Sequence, residues 1–316
     1  MITALILILL ALALVTALAW RRAARKEAVY EAAYPPEGQI LNIDGVKVHA
    51  VVMGDGPDLV LIHGTGGNTR DMTLSLAPRL AERYRVIVLD RPGNGYTDMI
   101  RTRGDTIEDQ ARLLARAATA LGADRPIVLG HSYGGSVALA WAVYVPDQIS
   151  ALVPLAAASN PWTTPLDRIY ALNSSWVGSV FLVPLMTAHT PQDRITDAIT
   201  GIFAPQPAPD GFAEATGVPL TLRRTCLRST ALQRAHLLDE ITAMAAHYNT
   251  LDLPVEIVHG REDQVVSCAI HSDPLAEQIP GAHYTPLEGI GHMPHHVEQD
   301  TVVAAIDRAA ERAGLR

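Results

Sequence analysis

The sequence predicts an α/β fold, in which a mostly parallel central sheet is flanked by helices. The first observation is that short apolar runs alternate with helix-like segments over residues 39–161 and again over 250–316, a pattern typical of parallel sheets with right-handed crossovers. The second is that residues 162–249 show helical periodicity without strand patterns, which predicts an inserted helical lid. The third is an apolar N-terminus, which predicts one transmembrane helix before the folded domain.

Residues 2–20 are almost continuously apolar, and four basic residues follow between positions 21 and 26. Nineteen residues rising about 1.5 Å each give roughly 28 Å, close to the hydrocarbon thickness of a bilayer. Basic residues next to a span favour the cytoplasmic side. We therefore expect residues 1–26 to be a single-pass anchor in the cell membrane, with the folded domain in the cytoplasm.

The alternative is an exported protein whose signal peptide is cleaved, because Ala17-Leu18-Ala19 provides an A-x-A site. Against it, the first basic residues come after the apolar run, whereas a signal peptide begins with them.

After the anchor, residues 27–38 are expected to continue as a helix to Ala33 and then to form a short linker. An Asp44-Gly45 turn predicts a hairpin. Strand patterns occupy residues 40–43, 46–52, 59–62, 86–89, 127–129, 149–155, 255–259 and 284–287. Helical patterns occupy 74–81, 106–121, 137–145, 166–186, 193–203, 220–248 and 297–313. Thr106 and Asp109 form a capping box at one helix start.

Part of the insertion, residues 176–186, is strongly apolar. This composition fits packing of the lid on the main domain, an apolar substrate pocket, or contact with a membrane, and the sequence leaves these interpretations open.

Gly130-His131-Ser132-Tyr133-Gly134 joins an apolar strand to an apolar helix. This is the strand–turn–helix context in which a G-x-S-x-G motif exposes its serine at the carboxyl edge of a sheet. The flanking glycines allow neighbouring backbones to approach closely. Ser132 is therefore the candidate nucleophile.

A serine nucleophile needs a base, and the base needs a carboxylate that orients it. Asp263 follows one predicted strand and His292 follows the next, so that all three side chains are expected at the same edge of the sheet. Glu262 is the alternative acid.

These motifs resemble the α/β-hydrolase superfamily, in the branch with a helical lid after the sixth strand. The matching segments are His63-Gly64 with the glycines after it, residues 90–95, 130–135, 260–266, and Gly291-His292. The resemblance covers roughly residues 39–312. It implies that Asp263, third after Gly260, is the acid, and that the backbone N–H groups of Thr65 and Tyr133 form the oxyanion hole. Haloalkane dehalogenases and epoxide hydrolases carry Asp where this chain has Ser132, so those activities are disfavoured.

The remaining histidines and glycines admit simpler explanations. His295 and His296 are expected to be a solvated cap and not a metal site, since no Cys and no set of carboxylates accompanies them. His131 and His259 are expected to be structural. His63 and Asp90 are expected to hold loops. Residues 64–67 lack the Lys and Ser/Thr of a phosphate-binding loop.

The sequence thus predicts a serine hydrolase that cleaves an ester-type acyl bond through an acyl-enzyme, without cofactor or metal. The expected substrate is a small or lipid-derived acyl ester. A net charge of −8 does not favour nucleic acid as a partner. Alternatives on the same machinery are a carbon–carbon bond hydrolase, a thioesterase, an acyltransferase or a cofactor-free haloperoxidase. A non-catalytic ligand receptor is the alternative of another class.

Overall fold

The computed structural model describes residues 1–101 and 105–316. In that part of the chain eight strands form one sheet in the order β1-β2-β4-β3-β5-β6-β7-β8. The strands are β1 (Gln39–Ile43), β2 (Val46–Met53), β3 (Asp58–Ile62), β4 (Arg85–Leu89), β5 (Ile127–His131), β6 (Ala151–Leu155), β7 (Glu256–Gly260) and β8 (His283–Leu287). Strands β1, β2 and β4 pair antiparallel, and all other pairs are parallel. The predicted α/β class is confirmed.

Helices cover both faces of this sheet, and further helices form the N-terminal segment and the insertion. They are α1 (Ile2–Ala33), α2 (Thr69–Thr73), α3 (Leu76–Leu80), α4 (Ile107–Ala120), α5 (Tyr133–Tyr144), α6 (Arg168–Ser174), α7 (Val183–His189), α8 (Gln192–Phe203), α9 (Phe212–Ala215), α10 (Arg224–Ala245), α11 (Ser272–Gln278), α12 (Pro294–Val297) and α13 (Gln299–Arg312). The predicted capping box is present at the start of α4, where the Asp109 N–H donates to the Thr106 hydroxyl and Asp109 accepts from the Thr106 N–H.

Strand β3 shows why the sheet is buried on both sides. Its alternate residues Val60 and Ile62 pack with α4 and α5, whereas Leu59 and Leu61 pack with α2, α3 and α13. All four side chains are fully buried. Because a strand covered on both faces has no polar side, it appears in sequence as a continuous apolar run.

Helices α6 to α10 lie between β6 and β7, in the segment that the sequence predicted to be helical. The predicted single helix over 166–186 is wrong, because the chain breaks between Ser174 and Gly178 and bends by 96°. Ser175 is extended and its hydroxyl accepts the Gly178 N–H. A Cβ at Gly178 would lie 1.8 Å from the Leu172 carbonyl oxygen, so only glycine permits this close approach. A π-helical stretch over 178–182 then leads into α7.

Helix α1 runs without interruption through residue 33, as the sequence indicated. It is long and apolar enough to cross a membrane, properties that a signal sequence shares. Its last turns are fixed to the insertion by ion pairs from Glu27 to Arg224 and from Glu31 to Arg223. Within the predicted linker 27–38, only residues after Ala33 lack helical structure. The proposed domain limits at 26, 38, 161 and 249 remain predictions.

Candidate active site

Ser132 occupies the sharp turn between β5 and α5. Its φ of 54° and ψ of −120° place it in a backbone region that L residues rarely adopt. Its N–H donates to the Leu155 carbonyl of the neighbouring strand at 2.9 Å. A Cβ at Gly130 would lie 2.0 Å from the Gly134 carbonyl oxygen, and a Cβ at Gly134 would lie 2.4 Å from that of Ile62. The glycines that flank the serine are thus required by close backbone packing, and the hydroxyl lies at the carboxyl edge of the sheet.

Asp263 and His292 meet at the same edge. The Asp263 Oδ2 accepts a hydrogen bond from His292 Nδ1 at 2.6 Å, and its Oδ1 accepts the N–H groups of Val265 and Val266, each at 2.8 Å. Burial raises the pKa of this carboxyl, but the hydrogen bonds and charges of His259 and His292 outweigh burial and hold it well below its ordinary value. Asp263 is therefore ionised at neutral pH and fixes the ring of His292.

Ser132 and His292 line one cavity. Among the described residues, no hydrogen bond is made by the Ser132 hydroxyl, so the contact between serine and imidazole is not closed in this structure. Such contacts are often long in an unliganded enzyme and shorten when substrate binds. Of the two candidate acids, Asp263 is the one that bonds to the His292 ring. Glu262 contributes a main-chain contact, in which its N–H donates to the Ile290 carbonyl.

His259 contacts the candidate acid, which the sequence did not predict. Its Nε2 lies 2.8 Å from the Val266 carbonyl and 3.0 Å from Asp263 Oδ2. Both are acceptors, so this nitrogen carries the proton, and Nδ1 accepts from the Ser272 hydroxyl at 2.6 Å. His259 is a satisfied buried residue, as expected, but one of its partners is the candidate acid. A histidine four positions before a predicted acid was the available signal.

The two N–H groups that the family resemblance assigned to the oxyanion hole are available. Within the described chain, neither Thr65 nor Tyr133 donates its backbone N–H to another protein group. Thr65 lines the cavity beside Ser132. The side chain of Tyr133 is buried in the core, where its ring centroid lies 4.4 Å from the central carbon of the Arg91 guanidinium.

His63 and Asp90 hold the loop that carries Thr65. Burial and the charge of Arg91 lower the pKa of His63 to about 4, so the ring is neutral. It accepts the Arg91 N–H at 3.0 Å and donates to the Gly64 carbonyl at 2.9 Å. Asp90 accepts the Thr69 N–H at 2.7 Å. These contacts match the loop-holding role expected for both residues.

The expectation of a solvated cap at His295 and His296 is wrong. His295 is fully buried, and Asp71, 224 positions earlier, accepts from the Nε2 of His296 at 2.9 Å and lies 3.4 Å from that of His295. Burial lowers the pKa of His295 to about 4. A carboxylate from a distant part of the chain thus contacts both histidines, and the sequence around them did not indicate this partner.

Asp71, His131 and His295 have ligand atoms within 4.8 Å of one another, and this donor set fits a divalent ion such as zinc. Asp71 is already bonded to His296. The Nε2 of His131 donates to the His292 carbonyl at 2.8 Å, and among the described residues the buried Nδ1 atoms of His131 and His295 have no partner. The absence of a catalytic metal stays a prediction.

The cavity over Ser132 has a volume of about 260 Å³. One wall is the loop of residues 64–68, and the other comes mainly from the helical insertion. The insertion contributes Tyr170, Ile202, Phe212, Val218 and Arg234 to it. A predominantly apolar wall with one guanidinium suits a substrate that carries an apolar chain.

Residues 57–183 match the protein family described as alpha/beta hydrolase fold. A pimeloyl-(acyl-carrier protein) methyl ester esterase of Aeromonas hydrophila is 30% identical over an alignment of 255 residues that covers 76% of this chain and 90% of the relative.

Two solved structures are similar in fold. A thermophilic esterase from Thermogutta terrifontis superposes with a TM-score of 0.72 at 20% identity, over 87% of this chain and 99% of that one. A bacterial membrane phospholipase A superposes with a TM-score of 0.66 at 19% identity, over 98% of this chain and 99% of that one. The second match extends over nearly all of this chain, including most of its apolar N-terminal segment.

Proposed function

The chain belongs to the α/β-hydrolase family and is an esterase-like hydrolase, and from this premise we propose that it is a membrane-anchored serine esterase. Ser132 is its nucleophile, His292 its base and Asp263 the carboxylate that orients the base. The N–H groups of Thr65 and Tyr133 form its oxyanion hole. No step requires a cofactor or a metal ion.

The reaction follows from these positions. Ser132 Oγ attacks the ester carbonyl while His292 Nε2 takes the hydroxyl proton, and the two N–H groups bind the oxyanion. The imidazolium then protonates the leaving alcohol, which leaves an acyl-Ser132. Water, deprotonated by His292, attacks this acyl group, and the proton returns to the serine as the carboxylic acid departs. Each oxyanion donor contributes about 3 kcal/mol to lowering the barrier.

The observation that carries the proposal is the 2.6 Å hydrogen bond from His292 Nδ1 to Asp263 Oδ2, with the ring in the cavity that Ser132 lines. It leaves Nε2 as the ring nitrogen that is free to take a proton. The family assignment favours an enzyme over the non-catalytic receptor. Carbon–carbon bond hydrolase, thioesterase, acyltransferase and haloperoxidase activities would use the same residues, and no contact in the cavity favours them over ester hydrolysis.

The apolar length of α1 and the similarity to a membrane phospholipase support the anchor. The basic residues at 21–26 support a cytoplasmic catalytic domain. Protease accessibility of a C-terminal tag tests this side of the membrane, since digestion from outside the cell would contradict it.

Labelling with a fluorophosphonate probe tests the nucleophile in the full chain in detergent. We expect wild type to be labelled and Ser132→Ala to be unlabelled. Ser136→Ala is the matched control, because Ser136 lies one turn further along α5 and donates to the Ala158 carbonyl, outside the cavity. Labelling of Ser132→Ala at the wild-type rate would overturn the proposal.

A series of p-nitrophenyl esters of increasing chain length then tests the ester class, and equally poor turnover of all of them would contradict it.

A further inference from the structure

The insertion carries an uncharged and exposed apolar surface beside α1. Residues 169–188 include no Asp, Glu, Lys or Arg. At the bend between α6 and α7, Trp176 is 72% exposed and Val177 is 59% exposed. Leu172 and Leu185 of the flanking helices are exposed on either side. Large apolar side chains that are clustered and exposed mark an interaction surface.

This surface is continuous with the apolar part of α1. The side chains of Val177, Phe181 and Leu185 form an apolar groove with residues 12–16 of α1. Polar contacts fix the alignment, because Trp20 Nε1 donates to the Val180 carbonyl at 2.9 Å. Two residues further along α1, the guanidinium of Arg22 donates to the Ala188 carbonyl at 3.0 Å. The two ion pairs of Glu27 and Glu31 described above hold the rest of α1 against α10.

These contacts fix the apolar surface relative to α1, so they also determine how deep it lies in a membrane that α1 crosses. If α1 crosses the bilayer, Trp20 and the basic residues after it lie at the interface. Thr16 and Leu12 are four and eight residues before Trp20, and therefore roughly 6 and 12 Å inside the hydrocarbon at 1.5 Å per residue. Val177, Phe181 and Leu185 contact α1 at this level, so they lie inside the same leaflet. If the membrane boundary lay at Leu12 and not at Trp20, only the residues before Leu12, about ten, would remain to cross the bilayer, which is too few.

Resting on the proposed function, we propose that residues 176–185 are immersed in the leaflet next to the enzyme and that the substrate is an acyl ester dissolved in that leaflet. The route is short. Tyr170 lines the cavity over Ser132 and belongs to α6, which ends two residues before Trp176. The bend therefore places the entrance to the active site close to the hydrocarbon. The wall of Ile202, Phe212 and Val218 continues the apolar path to the nucleophile.

The depth of residue 177 in the bilayer is measured with a nitroxide attached to Val177→Cys in the full chain, which is reconstituted in phosphatidylcholine vesicles. Power-saturation EPR should show high accessibility to oxygen and low accessibility to a water-soluble nickel complex. Glu311→Cys, an exposed position on α13, which packs on the sheet, is the control in water. High accessibility of position 177 to nickel would overturn the proposal. Low accessibility to both reagents would also overturn it, because a second protein copy and not lipid would then cover the surface.

A second measurement compares two esters, a soluble short-chain p-nitrophenyl ester and a long-chain fluorogenic ester held in the vesicles. In Val177→Glu, turnover of the vesicle ester should fall by about tenfold or more relative to turnover of the soluble ester, as a charge at this depth resists immersion. Val29→Glu is the matched control, since Val29 is exposed on α1 beyond the basic residues, and both turnovers should equal wild type. An equal fall of both activities in Val177→Glu would overturn the proposal. Absence of all Ser132-dependent turnover in wild type would instead overturn the proposed esterase, and the EPR result would still decide the depth.

Discussion

Glu240, a half-buried carboxyl on α10, provides a test of the electrostatics around the insertion. Its Oε2 accepts the N–H of Ile107 at the first turn of α4 at 2.8 Å. Burial raises the pKa of Glu240 to about 7. The hydrogen bond from Ile107 opposes this effect, and the charges of Asp109 and Asp239 add to it. We predict that Glu240→Gln stabilises the protein at alkaline pH, because the glutamine oxygen keeps the hydrogen bond without a charge.

The magnitude follows from linkage. An acid whose pKa is raised by folding binds more protons in the folded state, so its contribution to stability is complete below the unfolded pKa and falls as pH rises through the folded pKa. The pKa of Glu240 rises from its ordinary 4.5 to about 7, and each pKa unit corresponds to about 1.4 kcal/mol. The wild type should therefore lose up to about 3 kcal/mol relative to Glu240→Gln between pH 4 and pH 9.

The assay is denaturant unfolding of the full chain in detergent micelles at both pH values, followed by circular dichroism. Glu108→Gln is the matched control, because it removes a partly exposed carboxylate, which pairs with Arg112, from the same first turn of α4. Its stability should differ from wild type by less than about 0.5 kcal/mol. A stability difference between Glu240→Gln and wild type that is the same at both pH values would refute the reasoning.

Three other substitutions test the site and the bend. Asp263→Asn should lower kcat on a soluble ester by roughly 10³- to 10⁴-fold, because the amide no longer orients His292 in the correct tautomer, and a loss below tenfold would contradict this role. His259→Phe removes one of the four donors to Asp263 and should lower kcat by about tenfold, the equivalent of one hydrogen bond to a charged group. Unchanged kinetics with an unchanged fold would show that His259 does not position the acid. Gly178→Ala should lower the free energy of unfolding by about 1–3 kcal/mol, because its Cβ would collide with the Leu172 carbonyl oxygen. Thermal melting checks this, and an unaltered Tm would exclude such a close approach.

The strands and the candidate triad could be predicted because their signals are local. A fully buried parallel strand such as β3 appears as an uninterrupted apolar run, and the turns that carry Ser132 and Asp263 follow strands that are buried throughout. His292 follows the partly exposed β8, which was recognised by its position before the Gly291-His292 motif. The order of these turns along the chain determines which side chains meet at the carboxyl edge.

Contacts between distant segments left no comparable signal. The pairing of Asp71 with His295 and His296 joins positions more than 220 residues apart, and the sequence alone made these histidines look like a solvated cap. The break before Gly178 depends on the proximity of one carbonyl oxygen from the preceding turn, whereas the apolar composition favoured one continuous helix. The bond from His259 to Asp263 depends on the curvature of the turn between them.

The junction between α1 and α10 bears on how a soluble form should be prepared. Removal of the residues before position 34 would take away the carboxylate partners of Arg223 and Arg224. It would also remove Trp20, whose ring centroid lies 4.4 Å from the Arg224 guanidinium, and so expose the surface that Trp20 covers. A truncation that starts at Trp20 removes the apolar half of the helix and retains every one of these contacts. The charged remainder of this helix is a structural part of the hydrolase, and expression boundaries chosen from hydropathy alone would remove it.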